Sequence, residues 1–183
     1  KMESKRIGAF LIDFNQNDKL VNQLNFIIEI DKVKHIFRQS KLFNSERLEN
    51  DAEHSWTISI MCILLKEYAD FEVNIEKVIS MLLIHDIVEI DAGDTFLYSS
   101  QRDESYNNEK KAADRIFGLL EPDQKKYFLS LWEEFEERKT NEAKFASVFD
   151  RLEPIIQNYM SEGYSWKKNN IMYDMVINKN MLI

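Results

Sequence analysis

An all-α fold, a single-domain bundle of about six to seven helices, is what the sequence predicts, and three observations carry that prediction. Glycine and proline number only 4 and 2 in 183 residues, whereas an all-β sandwich wants a turn signal roughly every 8 to 12 residues. Apolar residues recur three and four apart through long stretches rich in Leu, Ile, Met, Glu and Lys, which is the helical period. With 183 residues, 44% of them hydrophobic and 31% charged, the chain is long enough to bury a core without a disulfide framework or structural metal.

The elements follow in order. Asn17 or Asp18 caps a first helix carrying Leu20, Leu24, Ile27 and Ile28, then Val33, Ile36 and Phe37, on its inner side and ending near Arg38. Asn50 or Asp51 caps a second, running through Ile58, Met61, Leu64, Leu65 and Tyr68, with Asp51 and Glu53 suited to its positive N-terminal end. Cys62 reads as a small packed hydrophobe in this stretch. Asn74 starts a third helix, apolar over most of its circumference from Val78 to about Ile90 and hence central to the core. Asp91, Gly93 and Asp94 break the pattern, and a polar loop holding Phe96 and Tyr98 runs to about Asp103. Helices then span about Glu104 to Leu120, Asp123 to Arg138, and Asn141 to Met160, the last kinked by Pro154 and ended by Gly163. A short helix after Asn169, about residues 169–180, closes a domain whose core covers about residues 17–160.

Charge and hydropathy exclude some partners. With 24 basic against 32 acidic residues the formal charge is -8, which disfavours polymeric nucleic acid. No uninterrupted apolar run approaches the roughly 18 residues of a membrane span, and the N-terminus lacks the layout of a signal peptide. The expectation is a cytoplasmic protein with Cys62 reduced.

The informative residues are the histidines, of which there are 3: His35, His54 and His85. His85 precedes Asp86 inside the most apolar helix, with Glu89 four residues on. A buried carboxylate costs several kcal/mol unless a countercharge or metal compensates it. On an α-helix His85, Asp86 and Glu89 cover one sector, so one centre can address all of them. His54, in Glu53-His54-Ser55-Trp56, can supply a second imidazole from across the core. Asp150, set between Phe149 and Arg151, offers a further carboxylate.

A His, a later His-Asp pair and a distant Asp, all on helices, resemble the pattern of the HD-domain metal-dependent phosphohydrolases. The stretches from Asn50 to Trp56 and from Leu83 to Thr95 look like the branch containing the 5'-deoxynucleotidase-like enzymes, and the resemblance covers roughly Val33 to Met160. It implies that His54, His85, Asp86 and Asp150 hold one divalent cation. It further implies that Glu89 orients or deprotonates the attacking water, that Asp94 contacts the substrate sugar or assists catalysis, and that Arg38 binds phosphate. It implies a homodimer as well. One departure stands beside Arg38: related deoxynucleotidases often continue with Thr-Gly-Trp, whereas here Gln39-Ser40-Lys41 follows. Lys41 is a candidate second phosphate contact.

Two imidazoles and two carboxylates make a mixed nitrogen and oxygen set suited to Mn, Co, Fe, Ni or Zn. A second metal would call for more histidines, and only His35 remains, so one metal is expected. Trp56 reads as core packing, His35 as structural or partly exposed, and the Glu133-Glu134 to Glu136-Glu137 run as a solvated face. Phe96 and Tyr98 are the better candidates for a nucleobase wall. The expected activity is metal-dependent hydrolysis of the phosphomonoester of (deoxy)nucleoside 5'-monophosphates. The alternatives are an HD hydrolase of nucleotide polyphosphates or phosphodiesters, and a non-catalytic nucleotide- or metal-binding helical module.

Overall fold

Helix α1 (Lys19–Ile30) begins the part of the chain described by the computed structural model, which covers residues 19–98 and 102–180. The Asn17 and Asp18 caps lie outside the described residues. Instead of running on to Arg38, the helix tightens into a 3-10 turn over Asp31–His35 and gives way at Ile36 to extended backbone. Arg38 therefore stands on a strand, β1 (Phe37–Lys41), paired antiparallel with β2 (Leu48–Asn50). The physical reason is that Val33, Ile36 and Phe37 satisfy a helical stripe and a turn followed by a strand about equally well, and short apolar runs do not separate the two. The pairing slips between Phe37↔Asn50 and Lys41↔Leu48, the mark of an irregularity that bends a short ribbon. The Ile36 carbonyl accepts from the Asp51 amide at 3.1 Å, which delivers the ribbon directly into the next helix.

That helix, α2 (Asp51–Leu65), starts with a reciprocal cap: Asn50 Oδ1 accepts from the Glu53 amide at 3.0 Å and Glu53 Oε2 accepts from the Asn50 amide at 3.1 Å. Such a cap contributes about 1 kcal/mol, and here it also fixes where the first turn places His54. Asn74 caps α3 (Ile75–Ile84) through the Lys77 amide. The continuous helix expected to about Ile90 is interrupted. His85–Val88 form a 3-10 turn with all four residues buried, and α4 (Glu89–Ala92) resumes before Gly93 turns the chain at φ 76°. In a 3-10 turn residues three apart eclipse, so Asp86 comes to share a face with Glu89.

The remaining helices are α5 (Arg102–Phe117), α6 (Pro122–Glu137) with Pro122 in its first turn, and α7 (Asn141–Met160), capped by Thr140 and continuing through Pro154. Gly163, at φ 76°, leads into the unanticipated short α8 (Tyr164–Lys168), and α9 (Tyr173–Asn180) follows. The fold is all-α, with the β1–β2 ribbon its small addition. Among the described residues no helix is long and apolar enough to cross a membrane.

α2 packs on α3 and α7, and α5 and α6 close the other side. Trp132, Phe117, Phe135 and Phe149 are buried at the centre. Cys62 is buried as expected, and burial pushes its thiol up to about 11. Two other expectations fail. The buried side of α1 is Val21 and Phe26, with Phe26 set edge-on to Phe128, while Leu20, Ile27 and Ile28 face outward. Trp56 is not packed in the core but 65% exposed.

Candidate metal centre and active-site cavity

Three elements bring the four candidate ligands together. The first turn of α2 supplies His54, the 3-10 turn supplies His85 and Asp86, and the middle of α7 supplies Asp150. One ligand atom each of His54, His85 and Asp86 lie within 4.8 Å of one another. Asp150 Oδ1 stands 3.4 Å from His54 Nε2 and 3.7 Å from His85 Nε2. Pro154, four residues after Asp150, has no amide hydrogen to give the Asp150 carbonyl.

The ring nitrogens are already sorted. His85 Nδ1 faces the Leu82 carbonyl at 2.9 Å, an acceptor only, so it carries a hydrogen. His85 Nε2 is buried 3.0 Å from Asp86 Oδ1 and has no hydrogen-bond partner among the described residues. A buried, unpartnered imidazole nitrogen aimed among carboxylates, with its other nitrogen anchored, is the arrangement a divalent cation requires. The donor set of imidazole nitrogen and carboxylate oxygen fits such an ion.

Glu89 joins a different trio. Its carboxylate groups with those of Asp51 and Asp86 within 4.8 Å, so Asp86 is shared between the two clusters and Glu89 does not complete the His54–His85–Asp86 set. Arg38 reaches in from β1 and donates from Nη1 to Asp86 Oδ2 at 2.7 Å and to Asp51 Oδ1 at 3.3 Å. Its Nη2 is 3.9 Å from Asp150 Oδ1. The carboxylates around it raise the guanidinium well above its ordinary value even though burial opposes this.

These charges displace several protons. Burial raises the Glu89 carboxyl well above the usual range, and the neighbouring Asp86, Asp51 and Asp94 charges reinforce it. Asp51, fully buried, is pushed up to about 7 by burial and by Asp86, with Arg38 opposing. Asp94 is raised chiefly by its burial. Burial works against protonating His85, but Asp86 and Asp150 outweigh it and lift the imidazole to about 9. Asp86 stands near 2 because His85 and Arg38 overcome its own burial.

A pH dependence follows with a definite sign. His85 goes from an ordinary 6.5 to about 9 in the metal-free fold, so its imidazolium stabilises that fold fully below pH 6.5. This contribution, on the order of 3 kcal/mol, is lost as pH rises to about 9. Holding a cation at Nε2 needs the deprotonated ring and has the opposite slope. The Tm of metal-stripped protein is therefore expected to fall between pH 6.5 and 9, while the Tm gain on adding Mn²⁺ rises over the same window. Differential scanning calorimetry on both forms checks this, and parallel slopes would contradict it.

The cluster opens on a cavity of about 370 Å³, within the usual range for a small-molecule site. His85, Asp86 and Asp150 line its floor, while His54 lies behind them. Arg38, Gln39 and Ser40 of β1 line it too, as do Asp94, Phe96 and Tyr98 from the segment after α4. The Phe96 and Tyr98 rings lie 5.3 Å apart, and Trp166 of α8 completes that end. Lys41 is not in this cavity; its ammonium sits 3.9 Å over the Tyr164 ring and pairs with Glu46. His35 is exposed, away from the cluster.

Several residues of the site carry no signal in the sequence. Asp51 was legible only as a helix-end charge, and Glu49 and Glu153 gave no signal beyond their acidity. Arg138 lines the cavity from a left-handed backbone conformation at φ 51°, with its Nε buried and unpartnered among the described residues. Glu136 also lines it and is pushed up to about 6 by burial and by Glu109. The acidic run on α6 is thus not uniformly solvated: Glu133 and Glu137 are exposed, Glu134 pairs with Lys77 at 2.7 Å, and Glu136 turns inward beside Phe135.

The helical fold and this residue set define a class, and the chain belongs to the HD domain family, whose model matches residues 30–181. A 5'-deoxynucleotidase HDDC2 from Danio rerio is 30% identical over 152 residues, covering 82% of this chain and 74% of that protein. The Homo sapiens protein of the same name is 28% identical over 160 residues, 85% and 77% of the two chains. The crystal structure of a predicted metal-dependent phosphohydrolase from Magnetospirillum magnetotacticum is 50% identical with a TM-score of 0.84, covering 88% of this chain and 81% of that one.

Proposed function

We propose that this chain hydrolyses the phosphomonoester of (deoxy)nucleoside 5'-monophosphates with the help of one divalent metal ion. The observation that carries the reading is the convergence of His54, His85, Asp86 and Asp150, the last three lining a cavity of small-molecule size and His54 directly behind them, with Arg38 beside them. The HDDC2 relatives, named 5'-deoxynucleotidases, support the substrate class.

The cation, one of Mn, Co, Fe, Ni or Zn, supplies Lewis acidity and a water of lowered pKa when bound. Arg38 offsets phosphate charge from its place on β1. Glu89, whose carboxyl is raised by burial and by three neighbouring acids, is a stronger base than an ordinary carboxylate and is the group to take a proton from the attacking water. Asp94 lines the cavity together with Phe96 and Tyr98, and in this reading it meets the sugar while the rings take the base. Gln39 and Ser40, next to Arg38 on β1, also line the cavity and shape its nucleoside end. The same reading places the protein in the cytoplasm, supported by its single, buried free thiol.

Metal-stripped protein resupplied with each metal, and offered nucleoside monophosphates, triphosphates and phosphodiesters, tests the reading. Phosphate release from monophosphates is expected. Release of pyrophosphate or cleavage of diesters alone, or no product with any metal, would overturn it.

A homodimer is part of the proposal. Trp56, Ile60, Ile63 and Leu64 lie at helical spacing along α2, with Leu64 69% exposed, and an apolar stripe left uncovered by the described residues fits a second copy. Ile60→Asp combined with Ile63→Asp is expected to give a monomer by light scattering, where the parent chain runs as a dimer.

A further inference from the structure

His54 has two nitrogens and α7 addresses both. Asp150 Oδ1 is 3.4 Å from Nε2, on the side of the candidate ligands, while Glu153, three residues on along the same helix, has its Oε2 3.3 Å from Nδ1. Residues three apart share a helix face, so one turn of α7 brackets the imidazole. Glu49 approaches from β2, its Oε2 3.7 Å from the same Nδ1 and 4.0 Å from Arg38 Nε. Glu49 is 1% exposed, and His54 and Glu153 are 0% exposed.

Two carboxylates buried this completely need a reason. Among the described residues neither caps a helix or receives a backbone amide, and one oxygen of each, Glu49 Oε2 and Glu153 Oε1, has no hydrogen-bond partner. Stability does not supply the reason, because apolar residues of similar volume often serve a buried site as well or better. Nor do the two lie where substrate reaches, since neither lines the cavity. What they do touch is the rear nitrogen of a candidate ligand whose front nitrogen faces Asp150.

We propose that Glu49 and Glu153 are positioning residues that act through His54. Glu153 accepts the Nδ1 hydrogen, which fixes the tautomer and leaves the Nε2 lone pair directed at Asp150 and the candidate cation. Glu49 adds negative charge behind the ring and ties it to Arg38, so the ligand at one end of the site and the phosphate-binding cation at the other are held by one side chain. A carboxylate behind a ligating imidazole makes the ring more basic and a stronger donor. The inference rests on the reading of His54 as a metal ligand.

The test measures Mn²⁺ binding by the full chain, in competition with a chelating indicator, for the parent protein and for Glu153→Gln, Glu49→Gln and Glu153→Leu, alongside the Tm of each without metal. Glu153→Gln keeps the shape and an acceptor oxygen but removes the charge. Binding is expected to weaken roughly 10- to 100-fold in Glu153→Gln, more in Glu153→Leu, and less in Glu49→Gln because of its longer approach. The stoichiometry stays at one ion per chain and the metal-free Tm of Glu153→Gln stays within a few degrees. Parent-like affinity in both Gln variants, with only Tm altered, overturns the proposal and leaves a structural pair. Two ions in the parent and one in Glu153→Gln also overturns it, making the acids ligands themselves. A parent protein that binds no ion overturns instead the reading on which the inference rests.

Discussion

Asp86→Ala is expected to abolish metal-dependent phosphate release, by roughly a thousandfold or more, and to remove the bound ion with it. A loss of this size exceeds what a single electrostatic donor at a reacting centre usually supplies, because Asp86 serves two groups at once. Its Oδ1 stands 3.0 Å from His85 Nε2, and its Oδ2 accepts from Arg38 at 2.7 Å. Among the described residues, alanine leaves His85 Nε2 with Asp150 at 3.7 Å as its carboxylate neighbour and leaves Arg38 with Asp51 as its side-chain hydrogen-bond partner. Unpaired charge in a buried site destabilises by about 3–5 kcal/mol, so the metal-free variant is also expected to melt earlier. Circular dichroism separates that effect from a loss of binding. Asp86→Asn keeps the shape and lowers the cost to the fold while still removing the ionic ligand. Ion binding measured by mass spectrometry of the metal and phosphate release measured on the same samples decide the matter: activity within tenfold of the parent in either variant would remove Asp86 from the centre.

The four-residue cluster was legible because its members break the local pattern. His85 and Asp86 stand in the most apolar stretch of the chain, Asp150 sits between Phe149 and Arg151, and only 3 histidines exist to choose from. A polar group where burial is certain is a signal that periodicity can expose. Arg38 is legible through the family resemblance, but its backbone reads as helix because the stripe from Ile27 to Phe37 does not distinguish a helix from a 3-10 turn followed by a strand. The turn at His85–Val88 was hidden for a similar reason: a segment buried on every side has no polar face to report whether it advances by 3.6 or by 3.0 residues. That hidden change decides which acids meet, since it sets Glu89 with Asp51 and Asp86 and not with the histidines. Glu49 and Glu153 were illegible altogether. An acidic residue in an acidic chain reads as surface, and only tertiary packing shows these two against His54. Likewise the exposure of Trp56 and its neighbours on α2 could not be read from a helix that is apolar on more than one side.

Glu89→Gln separates chemistry from binding. Glu89 is not among the ligand atoms gathered around His54 and His85, so the glutamine variant is expected to hold its ion within a few-fold of the parent while kcat falls roughly 10²- to 10⁴-fold, the usual range for removing a general base. The pH profile carries the more specific signature. Burial, and then the charges of Asp86, Asp51 and Asp94, hold the Glu89 carboxyl well above the ordinary carboxylate range. A base acts only when deprotonated, so kcat/KM of the parent rises with pH through that raised value, and this rising limb disappears in Glu89→Gln. Asp51→Asn provides the converse. It removes one of the like charges that keep Glu89 protonated, so the limb moves to lower pH, while kcat at high pH changes little provided that Arg38 keeps its 2.7 Å bond to Asp86. A limb that stays in place when Asp51 is neutralised, or that survives in Glu89→Gln, would assign the proton transfer to another group, with Asp94 the next acid on the cavity wall to substitute.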